Sequence, residues 1–84
     1  MKKEKDVAAL NDNRIKWACR RGMLELDIFL MTFFEKRYPT LSLAQKEKFA
    51  CFLEESDADL YVWLMKGVAP PPEWIEIIHA IQNP

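Results

Sequence analysis

A chain of 84 residues, 50% hydrophobic and 30% charged, falls short of the usual domain size of about 100–150 residues and forms one small domain. A domain of this size buries only about 60% of its unfolded surface, which leaves no room for a buried cofactor plus a catalytic cleft. The net charge of −1, from 12 Lys+Arg against 13 Asp+Glu, is not the broad basic footprint of a nucleic-acid binder.

The 2 Gly and 5 Pro fall at the boundaries of periodic segments, and the chain reads as helical throughout. Residues 1–10 are polar and form a flexible N-terminal segment ahead of a single domain over residues 11–84. A first helix starts near Asp12 or Asn13, either of which can cap it, and carries Ile15, Ala18 and Cys19 on one face. It ends near Arg21, because Gly22 supplies the permissive backbone of a helix stop. The second helix runs from about Leu24 to Arg37. Its apolar residues, Leu26, Ile28, Phe29, Leu30, Met31, Phe33 and Phe34, lie nearly all round the axis, the mark of a central, buried helix. Pro39 ends it.

Ser42-Leu43-Ala44-Gln45 is a capping-box pattern opening the third helix, whose inward stripe is Phe49, Phe52 and Leu53. Ser56 or Asp57 starts the fourth, with Asp59 in its positive first turn and Leu60, Trp63 and Leu64 facing the core. Gly67 is a good residue to follow it. The fifth opens with Pro72 and Glu73, and Trp74, Ile77, Ile78 and Ile81 make a strongly amphipathic stripe. The expected fold is all-α, a compact bundle of five short helices.

Chemistry-bearing residues are sparse. Cys19 and Cys51 lie 32 positions apart with no C-x-x-C pair, and one His does not complete a zinc set. A single disulfide is arithmetically allowed, but two reduced thiols are the preferred reading. The pairs Asp57/Asp59 and Glu54/Glu55 sit where helix ends favour or solvate such charges, so no metal site is expected. His79, beside the isoleucine stripe, reads as an edge residue rather than a catalytic one. Trp63 and Trp74 read as packing, whereas Trp17 fits packing and a binding anchor about equally. No apolar run reaches the ~20 residues of a membrane span. The start, Met1-Lys2-Lys3-Glu4-Lys5-Asp6, has no apolar core of a signal peptide, which points to the cytoplasm.

One segment departs from this bland pattern. Residues 1–21 hold seven basic and three acidic side chains, a net +4, and residues 22–84 hold five and ten, a net −5. The break falls at Gly22, within Arg20-Arg21-Gly22-Met23-Leu24-Glu25-Leu26-Asp27. In a continuous helix, Arg21 and Glu25 would pair in the weaker orientation, and Gly22 would cost about 1 kcal/mol relative to Ala. A tight turn makes better sense, with Arg21 and Glu25 meeting at a helix–helix corner. One reading is a charged recognition patch at which Gly22 lets another backbone approach. The other is a Gly-stopped helix followed by an acid-rich first turn with ordinary surface pairs.

Trp17-Ala18-Cys19-Arg20-Arg21-Gly22-Met23-Leu24-Glu25-Leu26-Asp27 closely resembles the signature of the SdhE family, the FAD assembly factors of succinate dehydrogenase and fumarate reductase. The family's R-G-x-x-E motif falls on Arg21, Gly22 and Glu25. A second family feature, D-L-[FY]-x-W-L after an acid-rich turn, matches Asp59-Leu60-Tyr61-Val62-Trp63-Leu64. The resemblance covers about residues 11–82. It implies a five-helix helper, not itself an enzyme, that promotes covalent attachment of FAD to a His of the flavoprotein subunit. It also implies that Arg21, Gly22 and Glu25 touch the immature flavoprotein, with Arg20, Met23 and Asp27 flanking them and Arg14 and Trp17 extending the patch. FAD is then attached on the partner; the chain shows no phosphate-cradling glycine loop and is not expected to hold it tightly. The free helper is expected to be a monomer without membrane insertion. An antitoxin-like regulatory module using the same surface is the alternative, and nucleic-acid binding by the basic N-terminal segment ranks below it.

Overall fold

Short polar side chains open three of the helices, and positive-φ glycines shape two of the turns between them. The computed structural model describes residues 11–84, so the expectation for residues 1–10 lies outside the described residues. Asn11 caps helix α1 (Asp12–Ala18) by accepting from the Arg14 amide. This places the cap one residue before the Asp12/Asn13 start expected from sequence. The α-helical pattern stops at Ala18 rather than near Arg21, because the Arg20 amide turns back to the Trp17 carbonyl in a tighter i→i−3 bond.

Helix α2 (Leu24–Lys36) follows, and Pro39 sits in a one-turn 3-10 segment, Tyr38–Thr40, that ends it. Only Leu26, Leu30 and Phe33 of α2 are sealed from solvent. The expected all-round burial is corrected here: Ile28 is 56% exposed and Leu24 76%. Helical spacing puts residues i, i+4 and i+7 inward, and a bundle this small has no second layer to cover the opposite face.

Helix α3 (Leu43–Phe52) begins with the complete capping box between Ser42 and Gln45. Helix α4 (Asp57–Met65) is capped by Ser56 through the Asp59 amide. Gly67, at φ +72°, turns the chain away, and the Val68 amide reaches back to the Val62 carbonyl. Pro72 opens a 3-10 turn, Pro72–Trp74, ahead of helix α5 (Ile75–Gln82), rather than the α-helix itself. All described regular structure is helical.

The core lies where α2 meets α3, α4 and α5. Phe33 packs on Phe49 with ring centroids 4.9 Å apart, and Phe52 meets Trp74 edge-on at 5.3 Å. Trp74, Ile77, Ile78 and Ile81 are all buried, as the stripe requires. Trp63 is half-buried against Phe52 and completes the core from its edge. No helix among the described residues is long and apolar enough to cross a membrane. With this frame set, the α1–α2 corner is held against the turn between α3 and α4.

Candidate functional site

Ile15 and Cys19 anchor α1 to the core, so the chain leaves the helix with Arg20 outward and Arg21 toward the neighbouring turn. Gly22 then reverses it at φ +86°, a conformation that L side chains rarely adopt. An added Cβ at Gly22 would meet nothing within 4 Å, so the backbone angle rather than crowding calls for glycine. The space beside Gly22 is open.

Asp27 closes the corner. Its carboxylate accepts from two successive amides, Arg21 at 2.7 Å and Gly22 at 3.3 Å. It lies in the first turn of α2, where a negative charge also suits the helix dipole.

The Arg21 guanidinium turns to the opposite side. Nη1 donates to the Ala18 and Leu53 carbonyls, both at 2.8 Å, and Nη2 donates to the Glu55 carbonyl at 2.9 Å. Nε donates to Asp57 Oδ1 at 2.7 Å. The cation therefore sits at the carbonyl-rich ends of α1 and α3, where the dipoles favour it, and beside an acid at the start of α4. The sequence expectation of an Arg21–Glu25 pair is corrected by this arrangement. The guanidinium plane matches four acceptors on the α1 and α3–α4 side, whereas Glu25 stands on α2 and is exposed.

Magnitudes show which bonds matter. Arg21 retains 15% of its side-chain exposure and Asp57 48%, so the ion pair is worth no more than about 0–1 kcal/mol. Hydrogen bonds from a charged donor contribute about 1.5–3 kcal/mol each. The carbonyl ties dominate, and two of the three join segments more than 30 residues apart.

The other predicted residues lie on or beside this corner. Glu25 and Arg20 have exposed side chains that make no ion pair or side-chain hydrogen bond among the described residues. Trp17 is 72% exposed, and with Asn13, Lys16 and Arg20 it lines an open groove along α1. Arg14 is exposed on the same helix and borders a second shallow groove with Ala18, Leu53 and Glu54. Met23 is half-buried at the start of α2 and packs on the core. Beneath the corner, Cys19 is sealed off. Burial, with Asp27 adding and Arg21 opposing, pushes its thiol up to about 12.

Residues 13–84 match the family model described as flavinator of succinate dehydrogenase. The chain belongs to this family. It is similar to FAD assembly factor SdhE of Yersinia pseudotuberculosis, 47% identical over 74 residues that cover 87% of this chain and 84% of the relative. The SdhE protein of Francisella tularensis is 40% identical over 79 residues, 94% of this chain and 83% of the relative. That of Vibrio cholerae is 52% identical over 52 residues, 62% of this chain and 60% of the relative.

Within the fold the first sequence signature is tied to the turn just ahead of the second. Arg21, from the first, bonds Asp57, just ahead of the second, and the turn carbonyls before it. Asp57, Leu53 and Glu55 were absent from the site expected from sequence. Leu53 and Glu55 take part through their carbonyls, which no side-chain pattern reveals. Asp57 carried a signal, an acid in a turn, but that signal serves helix α4 equally well.

Proposed function

We propose that this protein promotes covalent attachment of FAD to the flavoprotein subunit of succinate dehydrogenase by binding the immature subunit at the α1–α2 corner. The surface comprises Arg21, Gly22 and Glu25, flanked by Arg20, Met23 and Asp27 and extended along α1 by Arg14 and Trp17. The fumarate reductase flavoprotein, which the resemblance groups with it, is a second client. One observation carries the reading: a match over residues 13–84 to a family of succinate dehydrogenase flavinators. The corner geometry supports it. Glu25, Arg20 and Trp17 project without partners among the described residues, and Gly22 leaves room for an approaching backbone.

The physics requires no catalytic group on the helper. Attaching a flavin to a histidine needs the ring held against the nucleophile, and positioning of this kind accelerates reactions greatly. A helper supplies it by binding one arrangement of its client better than the others, which raises the population of that arrangement. FAD remains the client's. The two glycines here, Gly22 and Gly67, each serve a turn and do not form a run that would cradle a diphosphate.

The experiment is in-gel flavin fluorescence of the flavoprotein subunit made with and without this protein. Covalent FAD should rise several-fold when the helper is present. Equal fluorescence in both lanes refutes the proposal.

A further inference from the structure

The proposed client surface includes Arg21, yet four of the five N–H donors of its side chain are already engaged within the chain. Its Nε, Nη1 and Nη2 atoms all donate within the chain, at 2.7–2.9 Å, to Asp57 and to the Ala18, Leu53 and Glu55 carbonyls. Turning outward to a client would break those bonds and leave three carbonyls without this donor, which is costly wherever they are shielded from water. A single new salt bridge at a wet interface returns less than that.

On the proposed function, we infer that Arg21 is a positioning residue: it pins the α1–α2 corner to the α3–α4 turn so that Gly22 and Glu25 meet the flavoprotein in one fixed geometry. Asp27 performs the complementary task from α2, gripping the Arg21 and Gly22 amides. Asp57 belongs to the same assembly, although it lies 36 residues from Arg21. The corner is thus clamped from both sides, and the residues left over for a client are those without partners among the described residues. A client that must be held in one domain arrangement gains from a rigid template, because less ordering remains to be done on binding.

The charge-conserving variant Arg21→Lys separates the two roles. Lys keeps the cation but presents a point ammonium, which does not reproduce a planar fork serving four acceptors. Two readouts are taken: backbone order parameters of the free helper at Gly22 and Glu25, and the Kd for the purified apo flavoprotein subunit. Arg21→Lys should lower the Gly22 order parameter from about 0.85 toward 0.6 or below and weaken binding at least tenfold. Asp57→Ala should act in the same direction by about two- to fivefold, consistent with a half-exposed ion pair, and add little in the Arg21→Lys background. Asp59→Ala, which removes an acid from the same helix turn without touching Arg21, should change neither readout.

Weakened binding with Gly22 still rigid overturns the inference and makes Arg21 a contact. A loosened corner that binds like wild type also overturns it. If Arg21→Lys fails to fold, Asp57→Ala decides by the same two readouts. Should the wild-type helper not bind the flavoprotein at all, the proposed function fails, while the order parameters of the free protein still decide whether Arg21 and Asp57 hold the corner.

Discussion

Gly22 shows how one residue answers to two demands. Its φ of +86° demands glycine for the turn, while the empty space beside it offers an approach to a second molecule. Substitutions separate these demands. Gly22→Ala should cost about 1–2 kcal/mol of stability, because a Cβ is disfavoured at positive φ even with room to spare. Gly22→Asn should cost less, since Asn tolerates that region. If client binding follows backbone strain alone, Asn will bind nearly as well as wild type. If close approach matters, both variants will bind more weakly than their urea stabilities suggest, and a bulky Gly22→Arg will not bind. Glu25→Ala is the matching test on the other side of the corner. It removes no side-chain bond among the described residues, so helical circular dichroism should stay at the wild-type level while flavoprotein binding is lost.

At the scale of helices, the starts of α3 and α4 were legible in short-range chemistry, whereas the cap of α1 falls at Asn11, one residue before the expected pair. The Ser42–Gln45 capping box forms as the pattern S-x-x-Q predicts, and the Trp74, Ile77, Ile78, Ile81 stripe is buried throughout. Ser42→Ala should therefore cost about 1 kcal/mol and lower the melting temperature by roughly 4–8 °C. Flavoprotein binding should not change, because the box lies at the far end of α3 from the turn that Arg21 grips. Elements were misread where the deciding partner lies far along the chain. The apolar circumference of α2 suggested a fully wrapped helix, but how many neighbours surround it is a tertiary matter, and Ile28 and Leu24 remain exposed. The corner itself was legible as a turn at Gly22, whereas the direction of Arg21 was not. Local spacing offers Glu25 as a partner; the stronger claim comes from backbone carbonyls at Leu53 and Glu55, which have no representation in side-chain sequence.

For the whole domain, the groups that respond to pH include Cys19, beneath the corner, and Tyr38, in the turn after α2. Among the described residues no charged side chain is buried, but two weak acids are: Cys19 and Tyr38. Burial pushes Cys19 from 9.0 up to about 12 and Tyr38 from 10.0 up to about 12, with the nearby Asp12 carboxylate adding to the shift at Tyr38. A folded-state pKa raised above the unfolded one means that the unfolded chain gives up its proton first. Stability from these groups is therefore complete below pH 9 and declines as pH rises toward 12. Each group contributes a slope of up to about 1.4 kcal/mol per pH unit within its window. Urea midpoints measured from pH 7 to 11 should be level up to about 9 and then fall. In Cys19→Ala, less stable overall because a buried sulfur is removed, the decline should begin nearer pH 10, where the buried Tyr38 still contributes. An identical onset in both proteins would rule out Cys19 as the source. The same raised pKa keeps the Cys19 thiol protonated and unreactive at neutral pH, since the thiolate is the reactive form. The residue that anchors α1 beneath the proposed client surface thus acts there as packing, which fits the proposed role of a helper that works by holding shape.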